Sequence, residues 1–217
     1  MSETTQQWRS RVRLVDEVAQ ELRDRIYAGT YAPGQQLRQE QMAEELQISR
    51  TPLREAMRIL ESEGLLYSEP GRGARVVSAD VKQLLAAYRM REVIDGLAAR
   101  LAAESPDAAR RAQLSQMLER QRAALRPWQP ALYAVSNVEF HIAVMELADN
   151  EYLTAQIPLV RMTSQVFRPV GPVEEERAIL AVAEHGGIAQ AIAEGRGEEA
   201  ERLARRHINV TIERLAL

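Results

Sequence analysis

The 217-residue sequence contains no cysteine, which excludes disulfide frameworks, thiolate catalysis, iron–sulfur clusters and zinc ribbons together. Any metal ion must then be held by histidine, carboxylate or amide groups. Lysine is almost absent as well: Lys82 is the single lysine among 28 basic residues, leaving 27 arginines. Together with abundant alanine, that bias reads as genomic base composition before it reads as function. No run approaches the about 18 consecutive apolar residues of a membrane helix. Residues Met1 to Gln7 are polar and lack the apolar core of a signal peptide. The expectation is a cytoplasmic protein with no membrane partner. A net charge of −3 argues against a protein that coats nucleic acid generally, while leaving room for a local basic surface. What is present is ordinary for a globular chain, with 46% hydrophobic and 27% charged residues. The length fits one large domain or two small ones.

The first clear period is Val15, Val18, Leu22, Ile26, an amphipathic helix that stops at Gly29, with Pro33-Gly34 as a turn. A short second helix carries Met42 and Leu46. A third places Leu53, Met57 and Leu60 on one face, with Ser49 or Thr51 as cap and Pro52 in its first turn. After Gly64, the stretches Leu65 to Ser68 and Ala74 to Val77 flank Glu69-Pro70-Gly71-Arg72-Gly73, a hairpin signal and the only convincing β structure. From Val81 onward the chain reads as six helices, roughly 81–104, 106–125, 130–148, 150–168, 178–194 and 197–215. The boundary falls near Ser78-Ala79-Asp80, dividing residues 1–78 from 79–217, with Asp80 or Ser78 capping the long helix.

Three helices followed by a hairpin is the winged helix-turn-helix order, in which the third helix enters the major groove. Arg50 and Arg54, at i and i+4 around Thr51, lie where arginine can fork onto guanine and hydroxyls can grip phosphate. Arg72 and Arg75 add charge at the wing. The same arginines also fit an ordinary solvated face paired with Glu55, Glu61 and Glu69. The stretches GTYAPGQQL (29–37), MAEEL (42–46), SRTPLREAM (49–57) and LESEGL (60–65) resemble the DNA-binding domain of the GntR family of bacterial transcription regulators. The resemblance covers nearly all of residues 12–77. It implies DNA contacts from Ser49, Arg50, Thr51, Arg54 and the wing-tip Gly71. Glu40 stands where relatives can carry a DNA-contacting arginine, and Arg38 is the neighbouring substitute.

All three histidines lie in the second half, at His141, His185 and His207, each on a different helix and in an apolar stripe. One such histidine is usually a satisfied core residue. Three on three helices, with none elsewhere, point instead to a site for a divalent transition metal such as Zn²⁺ or Ni²⁺, since burial favours the neutral ligating imidazole. Asn137, four residues before His141, points the same way and supplies an oxygen. On the first long helix Arg91 lies within an otherwise mostly apolar stripe, so it must be paired. Two readings stand: an internal ion pair with Asp95 at i+4, or a guanidinium held for an anionic ligand and oriented by Asp95 or Tyr88.

Tyr88-x-x-Arg91, Asn137-x-x-x-His141, Glu184-His185 and His207 resemble the FCD group of GntR regulators over about residues 82–215. That resemblance implies an all-helical domain that binds a metal and a small carboxylate and forms a homodimer. Six helices suggest the shorter, VanR-like branch. The family pattern has Asp where this chain has Asn137, which leaves the site one charge more positive. The expectation is a mainly α protein, a winged helix-turn-helix followed by a six-helix effector-binding bundle. It would act as a regulator, in the repressor sense, on a palindromic operator. The rival reading is a metal-dependent enzyme acting on a small organic acid, against which Glu184 should point about 100° away from His185 on its helix.

Overall fold

The computed structural model describes residues 3–69, 73–167 and 174–216, with residues 3–12 described by their backbone alone. It divides into two compact units, Met1–Ser78 with Gln165–Phe167, and Ala79–Ser164 with Arg168–Leu217.

In the first unit, helices α1 (Glu3–Tyr27), α2 (Gln39–Glu45) and α3 (Arg50–Ser62) are joined by a small sheet of β1 (Gln36–Leu37), β2 (Leu66–Glu69) and β3 (Gly73–Val76). The periodic residues Val15, Val18, Leu22 and Ile26 are all buried, as are Leu53, Met57 and Leu60 of α3. Burying a side chain of this size contributes about 1.5–3 kcal/mol, so these stripes fix how α1 and α3 face each other. Arg23 forks onto Glu63 at 2.9 and 2.7 Å across that seam. Ser49 occupies the N-cap of α3 but makes no side-chain cap bond, and Pro52 is buried in the first turn.

Strand β3 is central and antiparallel to both neighbours, with Leu66 opposite Val76 and Leu37 opposite Ala74. The period-2 alternation turns Ala74 and Val76 inward. The hairpin was expected; β1 was not, because two residues are too short to show an alternation. Gly73 sits on β3 close against the backbone of Leu37 and Arg38 at the end of β1. Its φ is +91°, and a Cβ there would lie 2.6 Å from the Leu37 carbonyl oxygen, so no other residue fits without strain. Arg75, which the sequence leaves open as a wing charge or as a partner of Glu69, forks onto Glu69 at 2.9 and 3.0 Å and donates to the Gly34 carbonyl at 2.7 Å. It ties strands to turn.

The second unit contains α4 (Val81–Glu104), α5 (Ala108–Ala123), α6 (Pro130–Leu147), α7 (Glu151–Thr154), α8 (Ile157–Arg161), the first residues of a π-helical turn (Met162–Val166), α9 (Glu175–Ala193) and α10 (Gly197–Leu215). Asp80 caps α4 in a full capping box, accepting from the Gln83 amide at 2.7 Å while the Gln83 side chain accepts from the Asp80 amide at 3.0 Å. The continuous helix expected over 150–168 is broken into α7, α8 and the π turn. Pro158 has no N–H, and its ring would clash with the carbonyl of Thr154 had α7 continued, so a new helix starts around it instead. The core joins Ala98 and Ala102 of α4 with Leu118, Phe140, Met145, Ile188, Ile192 and Ala204. Alanines on α4 let α10 approach closely along its length. No helix among the described residues is long and apolar enough to cross a membrane.

Candidate functional site

On the first unit, Ser49, Arg50, Thr51 and Arg54 are all exposed at the start of α3, and Arg38 is exposed at the N-cap of α2. Gly71 and Arg72 lie outside the described residues. Arg58, also exposed, continues the row at i, i+4 and i+8, so three guanidiniums line one face of the helix. The spacing was legible, but the sequence reading stopped at Arg54. Arg54 and Arg58 make no ion pair among the described residues, whereas Arg50 Nη1 lies 3.3 Å from Glu40 Oε1 with both side chains well exposed. An exposed pair of that kind is worth about 0–1 kcal/mol, which leaves Arg50 available to another partner. The alternative of an ordinary face paired with Glu55, Glu61 and Glu69 holds for Arg75, which forks onto Glu69, while Glu61 accepts from Ser68.

In the second unit, α6, α9 and α10 bring His141, His185 and His207 together, all buried, each offering a ring nitrogen within 4.8 Å of the others. Every Nδ1 has an acceptor. His141 Nδ1 is 2.8 Å from Asp95 Oδ1, His207 Nδ1 is 2.6 Å from Glu184 Oε2, and His185 Nδ1 is 2.8 Å from Gln121 Oε1. A neutral imidazole that donates from Nδ1 presents a bare lone pair at Nε2. The Nε2 atoms of His185 and His207 face each other at 3.1 Å, a separation that two bare lone pairs cannot hold without a proton or a metal ion. A cavity of about 10 Å³, with room for one ion or water, lies beside His141 and His207, walled by Asp95, Phe140, Met145 and Ile188. These donors fit a borderline transition metal such as zinc or nickel.

Asn137 is half-buried one turn before His141, and its Oδ1 accepts from the Tyr133 hydroxyl at 3.4 Å. Arg91 is 2% exposed and fully engaged. It forks onto Asp95 at 3.1 and 2.9 Å, and its Nη1 donates to Thr163 Oγ1 at 3.1 Å and Ser164 Oγ at 3.0 Å. The Tyr88 hydroxyl donates to the Thr163 carbonyl at 3.3 Å, and its ring lies 5.5 Å from the guanidinium. The ion pair with Asp95 is therefore present, and the same carboxylate also holds His141.

Electrostatics follow from these contacts. Burial alone would raise Asp95, but the Arg91 charge and the His141 bond outweigh it and hold the carboxyl far below its usual range. Glu184 is treated the same way by burial, His207 and Arg177, ending at about 2; Arg177 forks onto it at 3.0 and 2.8 Å. Burial lowers His141 to about 4 against the pull of Asp95, and burial beside the other two rings lowers His185 well below the ordinary value. Gln121, Thr163, Ser164 and Arg177 escaped the sequence reading, because each reaches the site from a helix or turn with no histidine of its own or from the far side of one. Glu184 does point away from His185, as expected, and in doing so meets His207.

Residues 14–76 match the model for bacterial regulatory proteins of the gntR family, and residues 86–210 match the FCD domain. The chain belongs to the GntR family. It is 26% identical over 196 residues to an uncharacterized HTH-type transcriptional regulator, YdhC, of Bacillus subtilis, covering 90% of this chain and 88% of that one. It is 29% identical over 184 residues to the HTH-type transcriptional repressor RspR of Escherichia coli, covering 82% and 78%. The fold matches that of E. coli McbR/YncC with a TM-score of 0.80 at 22% identity, over 94% of this chain and 97% of that one. As a GntR-family member, the protein is a DNA-binding transcription regulator, and the enzyme reading finds no support in the family or its relatives.

The depressed pKa values fix the sign of the acid response. The unfolded chain protonates His141 near 6.5, before the folded protein protonates it at about 4. Stability is therefore full above about pH 6.5 and is lost as pH falls through that window. Glu184 acts in the same direction between its ordinary value of 4.5 and about 2. Chemical unfolding of metal-free protein should show a midpoint that declines steadily below pH 6.5; a midpoint that rises between pH 6.5 and 4 would contradict a buried neutral His141 and His185.

Proposed function

We propose that this regulator binds a two-fold-symmetric operator as a homodimer, in the manner of a repressor. Its operator affinity is set by a small carboxylate that joins a divalent transition metal ion in the helical unit. The observation that carries this reading is the pair of inward-facing Nε2 atoms at 3.1 Å, with every Nδ1 already bound outward. His141, His185 and His207 would hold the ion through Nε2, with Asn137 as the fourth ligand. When bound, the ion supplies positive charge that attracts an anion. The surrounding charges leave it uncompensated, because Asp95 is matched by Arg91 and Glu184 by Arg177. An anionic effector is then the natural partner in a low-dielectric bundle. Arg91, with Tyr88 beside it, is the side chain that would fork onto the carboxylate, exchanging the Thr163 and Ser164 hydroxyls for stronger charged acceptors.

The dimer rests on α4. Its inner side fills the core, yet Met90, Val93 and Leu97 on its outer side are 39–51% exposed. A helix that is apolar on both sides belongs inside an assembly, and a second copy is the partner that a palindrome requires. On the first unit, Ser49, Arg50, Thr51 and Arg54 are the groups for base and phosphate contacts, with Arg38, Gly71 and Arg72 adding to them. The repressor sense is that of the relative named as one, RspR.

Three measurements test this. Protein prepared without chelator should carry about one transition metal ion per chain, and His185→Ala should lose it. Stripping the ion should abolish any effect of small carboxylates on operator binding. A wild-type protein free of metal, whose response to carboxylates survives chelation, would defeat the reading. For the DNA unit, Arg50→Ala should cost about 1–3 kcal/mol of discrimination between base pairs. Selection from a random duplex pool should then return a relaxed consensus; an unchanged consensus at unchanged affinity would remove Arg50 from the reading set.

A further inference from the structure

We propose that Gln121 is the positioning residue that sets the tautomer of His185, and that through it α5 aims a bare Nε2 into the metal centre. The proposal rests on the metal reading above. Gln121 lies on α5, is fully buried at 0% exposure, and uses both ends of its amide. Its Nε2 donates to the Ser136 carbonyl at 3.0 Å, and its Oε1 lies 2.8 Å from His185 Nδ1.

The orientation of that amide is dictated. A backbone carbonyl only accepts, so the NH₂ end must face Ser136; the reversed amide would press two oxygens together at hydrogen-bond distance. The oxygen end therefore faces the ring. An amide oxygen also only accepts, so His185 Nδ1 must carry the hydrogen. The consequence is a bare Nε2, and this is the atom that faces His207 Nε2 at 3.1 Å. The information runs from the Ser136 carbonyl through Gln121 to the ligating atom. Phe140, one turn after Ser136 on α6, stacks on the His185 ring with centroids 4.4 Å apart and planes at 24°. One helix thus fixes the ring's face directly and its edge through Gln121.

The other two rings have anionic acceptors, Asp95 and Glu184, each with its own arginine. Gln121 performs the same orientation without a charge. It therefore leaves the excess positive charge of a loaded centre intact, which is what an anionic effector would read. Outer partners of ligating histidines typically contribute 10–100-fold in metal affinity.

The test compares wild type with Gln121→Met, which keeps the volume and removes the acceptor, and Gln121→Glu, whose protonated carboxyl can donate to the Ser136 carbonyl and still accept at Nδ1. Two quantities are read: Zn²⁺ affinity by competition with a chromogenic chelator, and the imidazole ¹⁵N shifts of the metal-free proteins. Wild type should show His185 protonated at Nδ1. Gln121→Met should bind Zn²⁺ about 10–100-fold more weakly and lose the pure Nδ1–H signature, while Gln121→Glu retains it and recovers most of the affinity. A Gln121→Met protein that binds Zn²⁺ as tightly as wild type with the signature unchanged overturns the proposal. So does wild-type His185 protonated at Nε2 with Nδ1 bare, a result that needs no variant to fold. A wild type that takes up no Zn²⁺ at all, with His185 still protonated at Nδ1, instead overturns the metal reading beneath it.

Discussion

Burying an imidazole inside an apolar bundle is costly unless both of its nitrogens find partners, and this bundle buries three of them side by side. The outer nitrogens are met by Asp95, Gln121 and Glu184, drawn from α4, α5 and α9. Those partners need support in turn. Asp95 is stabilised as an anion by Arg91, which donates along its remaining edge to the Thr163 and Ser164 hydroxyls, and Glu184 is matched by Arg177. The polar network thus links α4, α5, α6, α9, α10 and the π-helical turn. Breaking a buried pair such as Arg91–Asp95 would leave an uncompensated charge and cost about 3–5 kcal/mol. Among the described residues the inner nitrogens of His185 and His207 face each other at 3.1 Å, and that residual demand is the chemical reason to place a cation there.

The sequence displays some of this plainly and hides the rest. Three histidines on three periodic stripes are visible because histidine is otherwise absent from the chain. The helical period shows equally well at Val15, Val18, Leu22 and Ile26, all buried. Glu184 was readable as pointing away from His185, but what it meets depends on how α9 packs against α10. Gln121 gives no signal at all, since a glutamine on a polar-looking helix is ordinary until tertiary packing buries it. Strand β1 is too short for any periodicity, and Pro158 was overlooked because the apolar pattern runs on past it. Arg75 could be read either as a free wing charge or as a partner of Glu69, and only the packed hairpin decides for the pair.

The DNA-reading unit obeys a different constraint. There the arginines must stay accessible, and α3 achieves this by spending its apolar residues on the seam with α1 and leaving Arg50, Arg54 and Arg58 on the opposite face. The net charge of the whole chain is negative, so attraction to DNA has to come from this local row rather than from the protein's overall field. In the helical unit the excess positive charge would arise only when an ion is bound, because every carboxylate at the centre already has its arginine. A regulator built this way would sense an anion through an ion it has first acquired. Differential affinity of that anion for two arrangements of the protein is what would change DNA binding.

The most direct test of the account is a crystal of the protein grown with Zn²⁺, with anomalous diffraction recorded at the zinc edge. The account predicts one strong peak per chain inside the helical unit, about 2.0–2.1 Å from the Nε2 atoms of His141, His185 and His207, with each Nδ1 still on Asp95, Gln121 or Glu184. A bundle with no peak, or an ion bound through Nδ1 with those three acceptors displaced, would contradict it.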